Sequence, residues 1–432
     1  MSAVADTPVV SAIGAVDGFL RARLLARLSR LRHARLQLCD AAGTVELGAS
    51  GDPALPLVRL EVLDPAFYRL VAAGGSVGAG EAYMDGRWRC SVSGLDPGRS
   101  LVALVRLWVR NRDLLDDLES GLAGFGAAAL RLWHAARRNT RAGSRRNIAA
   151  HYDIGNDFFR LFLSHDLMYS AAMWQGGGDT LEAASVRKLE TICRRLQLKP
   201  CDHVLEIGTG WGGFALYAAR QYGCRVTTTT LSREQHAYAA ARVAEAGLGG
   251  RVEVLLEDYR DLEGRYDKLV SIEMIEAVGA AYLDTYFAAI DRLMKPDGLA
   301  LLQAITIEDH RYLAALRTVD FIKRHVFPGS FIPSVSAMLA AKTRVSELGL
   351  VALEDFGDSY ARTLAAWRER FTARLPEVRA LGFGERFIRL WEFYLAYCEG
   401  GFRERSIGVA HLLLAKPGWR RLQSIVDREP AC

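Results

Sequence analysis

Little in this sequence is apolar for long. The longest such run, Leu101 to Val109, contains Arg106, well short of the ~18 consecutive apolar residues a membrane span requires. The opening MSAVADTPVV has no basic segment leading into an apolar one, so no secretory leader is expected. Cysteine is scarce: seven residues, an odd number, with no C-x-x-C pair. That argues against a disulfide framework and a cysteine zinc site, and for a reducing cytoplasm. The 40 Gly and 12 Pro follow no short period, which excludes collagen-like and low-complexity chains. What remains is half hydrophobic and about a quarter charged over 432 residues, the mix of a globular protein of two or three domains.

Lysine is absent from residues 1–146, which hold 20 Arg against 14 Asp and Glu, a net charge of +6. The rest of the chain carries 35 basic and 36 acidic residues. Such a bias points to an anionic partner, and a membrane surface is the one expected here. Leu20, Leu24, Leu28 and Leu31 fall on one helical stripe, with Arg23, Arg27, Arg30 and Arg32 largely off it. The stripe fits either a helix lying on anionic lipid or one packed on a core with a solvated basic back. ARLQL, VELG and LVRLEVL read as short strands, followed by a short helix after Pro65 and a glycine-rich turn in AAGGSVGAGEAYMDG. Residues 101–136 have a helical pattern. RRNTRAGSRRN, with five Arg, reads as a linker, solvated or touching lipid headgroups. The expected organisation is an N-terminal lipid-facing domain over 1–136, a linker over 137–147 and a larger domain over 148–432.

From His203 onward, apolar strand-like runs (203–207, 224–230, 251–257, 267–273, 299–307 and 409–417) alternate with helical segments. That alternation implies βαβ units and a mostly parallel sheet. Segments over 308–342 and 363–401 lack strand pattern and read as helical inserts covering a cleft at the carboxyl edge of the sheet.

VLEIGTGWGG (204–213) carries the first chemistry. Gly208, Gly210, Gly212 and Gly213 let the backbone turn tightly after a strand and approach a ligand. A dinucleotide fingerprint would add a carboxylate at the end of the second strand. Here that strand ends in Thr229-Thr230-Leu231-Ser232, and Glu206 instead closes the first strand, as in S-adenosylmethionine-dependent methyltransferases.

The strings GEAYMDGRW, HYDIGNDFF, LMYSAAMW, VLEIGTGWGG, TLSREQ, LEDYRDL, EMIEAVG, MKPDG, FGDSYARTLAAWRERF and CEGGFRERSIGV occur in this order. Over about residues 78–419 the chain resembles the cyclopropane-fatty-acyl-phospholipid synthase family, which includes the mycolic acid cyclopropane synthases. The resemblance implies an α/β class I methyltransferase fold: a Rossmann-like, mostly parallel seven-stranded sheet with a smaller N-terminal α+β domain and helical lid inserts. It also implies S-adenosylmethionine as cofactor and an unsaturated phospholipid acyl chain as substrate. Tyr169 and Ser170 would lie near the sulfonium and carboxylate end of the cofactor, with Glu206, Gly208 and Gly210 at its amino acid part. Thr230 and Gln235 would lie near the ribose, and Asp258 and Tyr259 would flank the adenine.

The resemblance further implies methyl transfer to a C=C bond through a carbocation, with neither metal nor nucleophilic residue. A bound bicarbonate would act as base, held by a Glu, a His, a Tyr and the region of two Cys. Glu276, Tyr360 and Cys398 match three of these. Trp174 and Trp391 would face the acyl chain or pack in a core, and Gln303 would line the substrate site. Four positions depart from the pattern: Ala171 stands for Cys, Gln303 for His, Ala277 for a second His, and Glu273 for Gly. The lost polar groups speak against bicarbonate, and the gained carboxylate at Glu273 would supply the base; the other reading of Glu273 is a strand-end residue paired with an arginine. An altered base favours a methyl- or methylene-branched product over a ring. The sequence leaves open a homodimer, a partner reductase, a small soluble substrate and an inactive lipid- or cofactor-binding homologue. No stacking-aromatic and basic pattern surrounds the sheet, so no nucleic-acid partner is expected. The protein is expected at the inner face of the membrane, peripherally held from the cytoplasm.

Overall fold

A computed structural model describes residues 12–48, 56–116, 143 and 154–420. The expected linker, apart from Gly143, and the helical pattern over 117–136 lie outside the described residues. Contacts divide the chain into two compact units. The first holds Met1–His134, Thr318–Val326 and Trp367–Ser406; the second holds Ala135–Arg317, Phe327–Ala366 and Ile407–Cys432. The first unit is therefore more than the N-terminal third, and most of the second expected lid insert belongs to it.

Packing within the first unit explains this. The helix Glu385–Arg403 buries Trp391, Phe393, Tyr394 and Leu395, and lies so close to the helix Pro97–Arg110 that a Cβ on Gly400 would sit 2.5 Å from Val105. Arg106 and Arg110 both reach Glu404 at 2.6 Å. Strands β1 (Leu36–Asp40), β2 (Gly43–Leu47), β3 (Val58–Val62) and β4 (Trp88–Ser91) form a sheet in the order β2-β1-β3-β4. In the helix Ala15–Leu28 and the turn after it, Leu24, Leu28 and Leu31 are buried, so the leucine stripe faces the core. The glycine-rich turn expected after Pro65 is instead a helix, Ala66–Met84, broken at Gly75 (φ 53°). Its glycines serve close approach rather than a turn. A Cβ on Gly78 would lie 1.9 Å from the Leu70 carbonyl, and one on Gly80 2.3 Å from the Phe321 ring.

The second unit is built on seven strands: β5 (His203–Ile207), β6 (Arg225–Thr229), β7 (Val252–Leu255), β8 (Tyr266–Ile272), β9 (Met294–Ile307), β10 (Gly349–Asp355) and β11 (Ile407–Ala415). Their order is β10-β11-β9-β8-β5-β6-β7. β7, β6, β5, β8 and β9 run parallel, while β11 is antiparallel to both neighbours. Alternation along the strands feeds two cores. Leu205, Leu269 and Leu302 pack with the helix Leu283–Leu293 on one face. Val204, Val270 and Leu301 pack with the helices Leu181–Arg195 and Gly213–Tyr222 on the other. The chain order reverses between β5 and β8, and a crevice at the carboxyl ends of these strands is where such sheets take ligands. No helix among the described residues is long and apolar enough to cross a membrane.

Candidate active site

The loop after β5 forms the floor of a cleft. Gly208 (φ 103°), Gly210 (φ 52°) and Gly212 (φ 85°) all take the left-handed region, which only glycine enters freely. The Gly208 and Thr209 amides both donate to the Thr229 carbonyl at 3.0 Å, tying the loop to the end of β6. A Cβ on Gly213 would lie 2.5 Å from Met168 Sδ, whereas one on Gly210 would meet no atom within 4 Å. The cleft, about 1100 Å³ with its open mouth included, is lined by all nine residues expected at the cofactor: Tyr169, Ser170, Glu206, Gly208, Gly210, Thr230, Gln235, Asp258 and Tyr259.

Six of these are held by neighbours. Thr230 donates to the Gln235 side-chain oxygen at 2.9 Å, which leaves the amide nitrogen of Gln235 as a donor. Arg260 clamps Asp258 through Nε at 2.7 Å and a terminal nitrogen at 2.5 Å. Burial pushes the Tyr259 phenol up to about 12, and its ring stands edge-on to Tyr286 at 5.5 Å. Glu206 is buried and accepts from Thr228 at 2.7 Å; burial pushes its carboxyl up to about 8. Lys188 donates to Ser170 Oγ at 2.7 Å. Its ammonium is brought down to about 8 by burial, against the opposing pull of Asp166, Glu273 and Glu206. A thioether nucleoside with an amino acid tail fits this set: an apolar slot at Tyr259, an amide donor at Gln235, and open space over Gly210.

Glu273 joins the same cleft. It follows β8 directly, with φ 48°, a conformation that costs a non-glycine residue about 1–3 kcal/mol. Three donors fix its carboxylate: the Ala171 amide at 2.8 Å and Gln303 Nε2 at 2.7 Å on Oε1, and the Tyr360 phenol at 2.8 Å on Oε2. Glu273 is half-buried at the wall of the cleft. Burial raises its pKa, opposed by these donors and by Lys188. No arginine is among its partners in these contacts.

Glu276 lies on the short 3-10 turn Ile275–Ala277. Its Oε1 accepts from the Ile305 amide at 2.6 Å, and its buried Oε2 has no partner among the described residues. Burial, and then the Glu273 charge, push it up to about 8. Glu276, Tyr360 and Gln303 are not among the residues lining the cleft; the last two act on it through Glu273.

Three further expected residues are not among those lining the cleft. Trp174 donates to Thr363 Oγ1 at 3.0 Å under the Arg362 guanidinium, 4.6 Å from its ring centre. Trp391 is buried in the first unit beside Phe387 and Tyr394. Cys398 lies in that unit too, on the helix Glu385–Arg403, where burial raises its thiol and keeps it neutral. Among residues the sequence reasoning missed, Lys188 was within reach: it falls on the buried stripe Leu181, Ala184, Ser185, Leu189 and Ile192 of its helix.

The family described as mycolic acid cyclopropane synthetase matches residues 139–412. The chain belongs to that family. It is 37% identical over 414 residues, 94% of this chain and 93% of the relative, to tuberculostearic acid methyltransferase UfaA1 of Mycobacterium tuberculosis. It is 38% identical to cyclopropane-fatty-acyl-phospholipid synthase of Escherichia coli K12, over 83% of this chain and 87% of the relative. Mycolic acid cyclopropane synthase CmaA1, solved in complex with SAH and CTAB, superposes with a TM-score of 0.59 at 28% identity, covering 63% of this chain and 98% of that one. Family and fold together make this protein an S-adenosylmethionine-dependent methyltransferase of class I architecture.

Proposed function

We propose that this methyltransferase alkylates the C=C bond of an unsaturated fatty acyl chain on a membrane phospholipid, and that Glu273 is its base. The names of its relatives support the acyl substrate: a tuberculostearic acid methyltransferase and a fatty-acyl-phospholipid synthase. The observation that carries the base is the strained backbone at Glu273, φ 48°, together with three donors converging on its carboxylate. A position that would suit glycine holds a carboxylate at the wall of the cofactor cleft.

S-adenosylmethionine supplies an electrophilic methyl group, which the alkene electrons take, leaving a carbocation on the acyl chain. Glu273 then accepts a proton from a carbon next to the cation, and the C–H electron pair restores a double bond. The three donors orient the carboxylate for that transfer, and orientation of this kind lowers barriers substantially. Burial raises the carboxyl toward the working range of a general base, and the Lys188 charge opposes that rise. Tyr169, tilted against Phe159 at 5.3 Å and Phe327 at 6.3 Å, offers the cation a ring face and excludes water that would quench it. A tethered base in place of a diffusible ion favours a methyl- or methylene-branched product.

In the same reading the N-terminal 146 residues, rather than the first unit as a whole, face anionic phospholipid. Its support is the net +6 of residues 1–146 and the exposed Val16 and Phe19 beside Arg23, whose guanidinium lies 5.8 Å from the Phe19 ring centre.

Lipid mass spectrometry of cells expressing the protein tests the substrate. One added CH2 on monounsaturated chains is expected. Methylation of a soluble compound with unchanged lipids would overturn the reading.

A further inference from the structure

A line of polar side chains crosses the sheet behind Glu273. The Glu273 amide donates to the Gln303 carbonyl at 2.8 Å. Gln303 on β9 is the cross-strand partner of His411 on β11, and His411 is in turn paired with Glu354 on β10. In-register residues on adjacent strands share a face, and the side chains do connect. Gln303 Nε2 bonds Glu273 Oε1 at 2.7 Å and the Ala171 carbonyl at 3.2 Å. Gln303 Oε1 lies 2.9 Å from His411 Nε2. His411 Nδ1 lies 2.9 Å from a terminal nitrogen of Arg195, which also pairs with Glu354. Gln303 and His411 are each only 1% exposed, so a wrongly oriented group here cannot be repaired by solvent.

The polarity of this line follows from chemistry. A guanidinium only donates, so His411 Nδ1 must be the bare, accepting nitrogen. The neutral ring then carries its proton on Nε2 and donates to Gln303 Oε1. With its oxygen so occupied, Gln303 directs both amide hydrogens to the Ala171 carbonyl and the Glu273 carboxylate. Flipping the amide would set its oxygen against two acceptors and its nitrogen against a donor. The arrangement requires a neutral histidine. Burial, with Arg195 and Lys188 nearby, holds the ring down to about 3.

We propose that Arg195, His411 and Gln303 form a one-way hydrogen-bond line that holds Glu273 in its accepting, ionised form, making His411 and Arg195 positioning residues for the base. The inference rests on Glu273 being that base. The other charged or titratable groups acting on Glu273 are Lys188, Tyr360 and Glu276, and none of them belongs to the line.

Two variants separate this role from packing against Phe356, whose ring meets His411 edge-on at 4.7 Å. His411→Gln can accept from Arg195 and donate to Gln303, whereas His411→Phe keeps a flat apolar ring and does neither. The line predicts that His411→Phe moves the acid limb of the kcat profile up by about half a unit or more and lowers kcat. KM for S-adenosylmethionine should hold, and His411→Gln should stay near the parent. A packing role predicts the reverse ranking, which would overturn the inference. Nitrogen NMR of the histidine-labelled full chain gives a readout free of activity. An Nε2–H tautomer that does not titrate between about pH 5 and 8 is expected; an Nδ1–H tautomer overturns the line by itself. Full turnover in Glu273→Gln instead overturns the base reading and the kinetic consequence with it, leaving the tautomer result to stand or fall separately.

Discussion

The phenol of Tyr360 donates to Glu273 Oε2 at 2.8 Å, on the carboxylate oxygen opposite the one held by Ala171 and Gln303. Tyr360 comes from the helix Gly357–Ala373 and Glu273 from the end of β8, so the bond fixes the base from a second element. Hydrogen bonds to a charged group are worth ~1.5–3 kcal/mol. Tyr360→Phe should therefore raise the Glu273 pKa further, shift the acid limb of the kcat profile upward, and lower kcat about tenfold near neutral pH. Cofactor affinity, measured by calorimetry, should be unchanged.

Glu276 makes a separate prediction about stability. Its folded pKa is raised to about 8 from the ordinary 4.5, so the folded state binds the proton more tightly than the unfolded one. The stability this gives is complete below the unfolded pKa and is lost as pH rises through the folded value. Glu276→Gln mimics the protonated acid and should remove that loss. Thermal unfolding between pH 6 and pH 9 should show a smaller fall in Tm for the variant than for the parent.

Gly210 bears on the cofactor. Its φ of 52° disfavours any side chain, and a Cβ there would project into open space beside the cleft. Gly210→Val should abolish S-adenosylmethionine binding in calorimetry while circular dichroism keeps its parent form. Parent-like affinity would mean the ligand lies elsewhere.

The nine residues that the family resemblance puts at the cofactor line one cleft, and the glycine loop and the alternation of strands and helices were legible in the sequence from local signatures. A strand running into glycines is one; hydroxyl and amide groups closing the second strand are another. β10 escaped notice because it is an edge strand, exposed at most of its positions, and so carries no buried alternation. The assignment of Trp367–Ser406 to the first unit was hidden too, since it depends on contacts such as Gly400 against Val105, far apart in the chain. The donors around Glu273 were half visible. The departures at 171 and 303 marked the spot, but that Gln303 itself bonds Glu273, and is backed by His411, required the register of β9 and β11.

Membrane contact is expected to be electrostatic, with an apolar component at Phe19. Binding to anionic vesicles should fall steeply with salt, since each basic residue near the surface adds about 1 kcal/mol. Phe19→Ser, at a residue 60% exposed, should weaken binding further without altering the unfolding transition. Equal, salt-independent binding to neutral vesicles would contradict this.

The most direct measurement is the turnover of Glu273→Gln on monounsaturated phospholipid vesicles, beside the parent, in bicarbonate-depleted buffer. A carboxamide keeps the volume and cannot take the proton. If Glu273 is the base, the parent is fully active without bicarbonate and the variant loses about 100-fold or more with S-adenosylmethionine affinity retained. Full turnover in the variant, or a parent that stops when bicarbonate is removed, would contradict it.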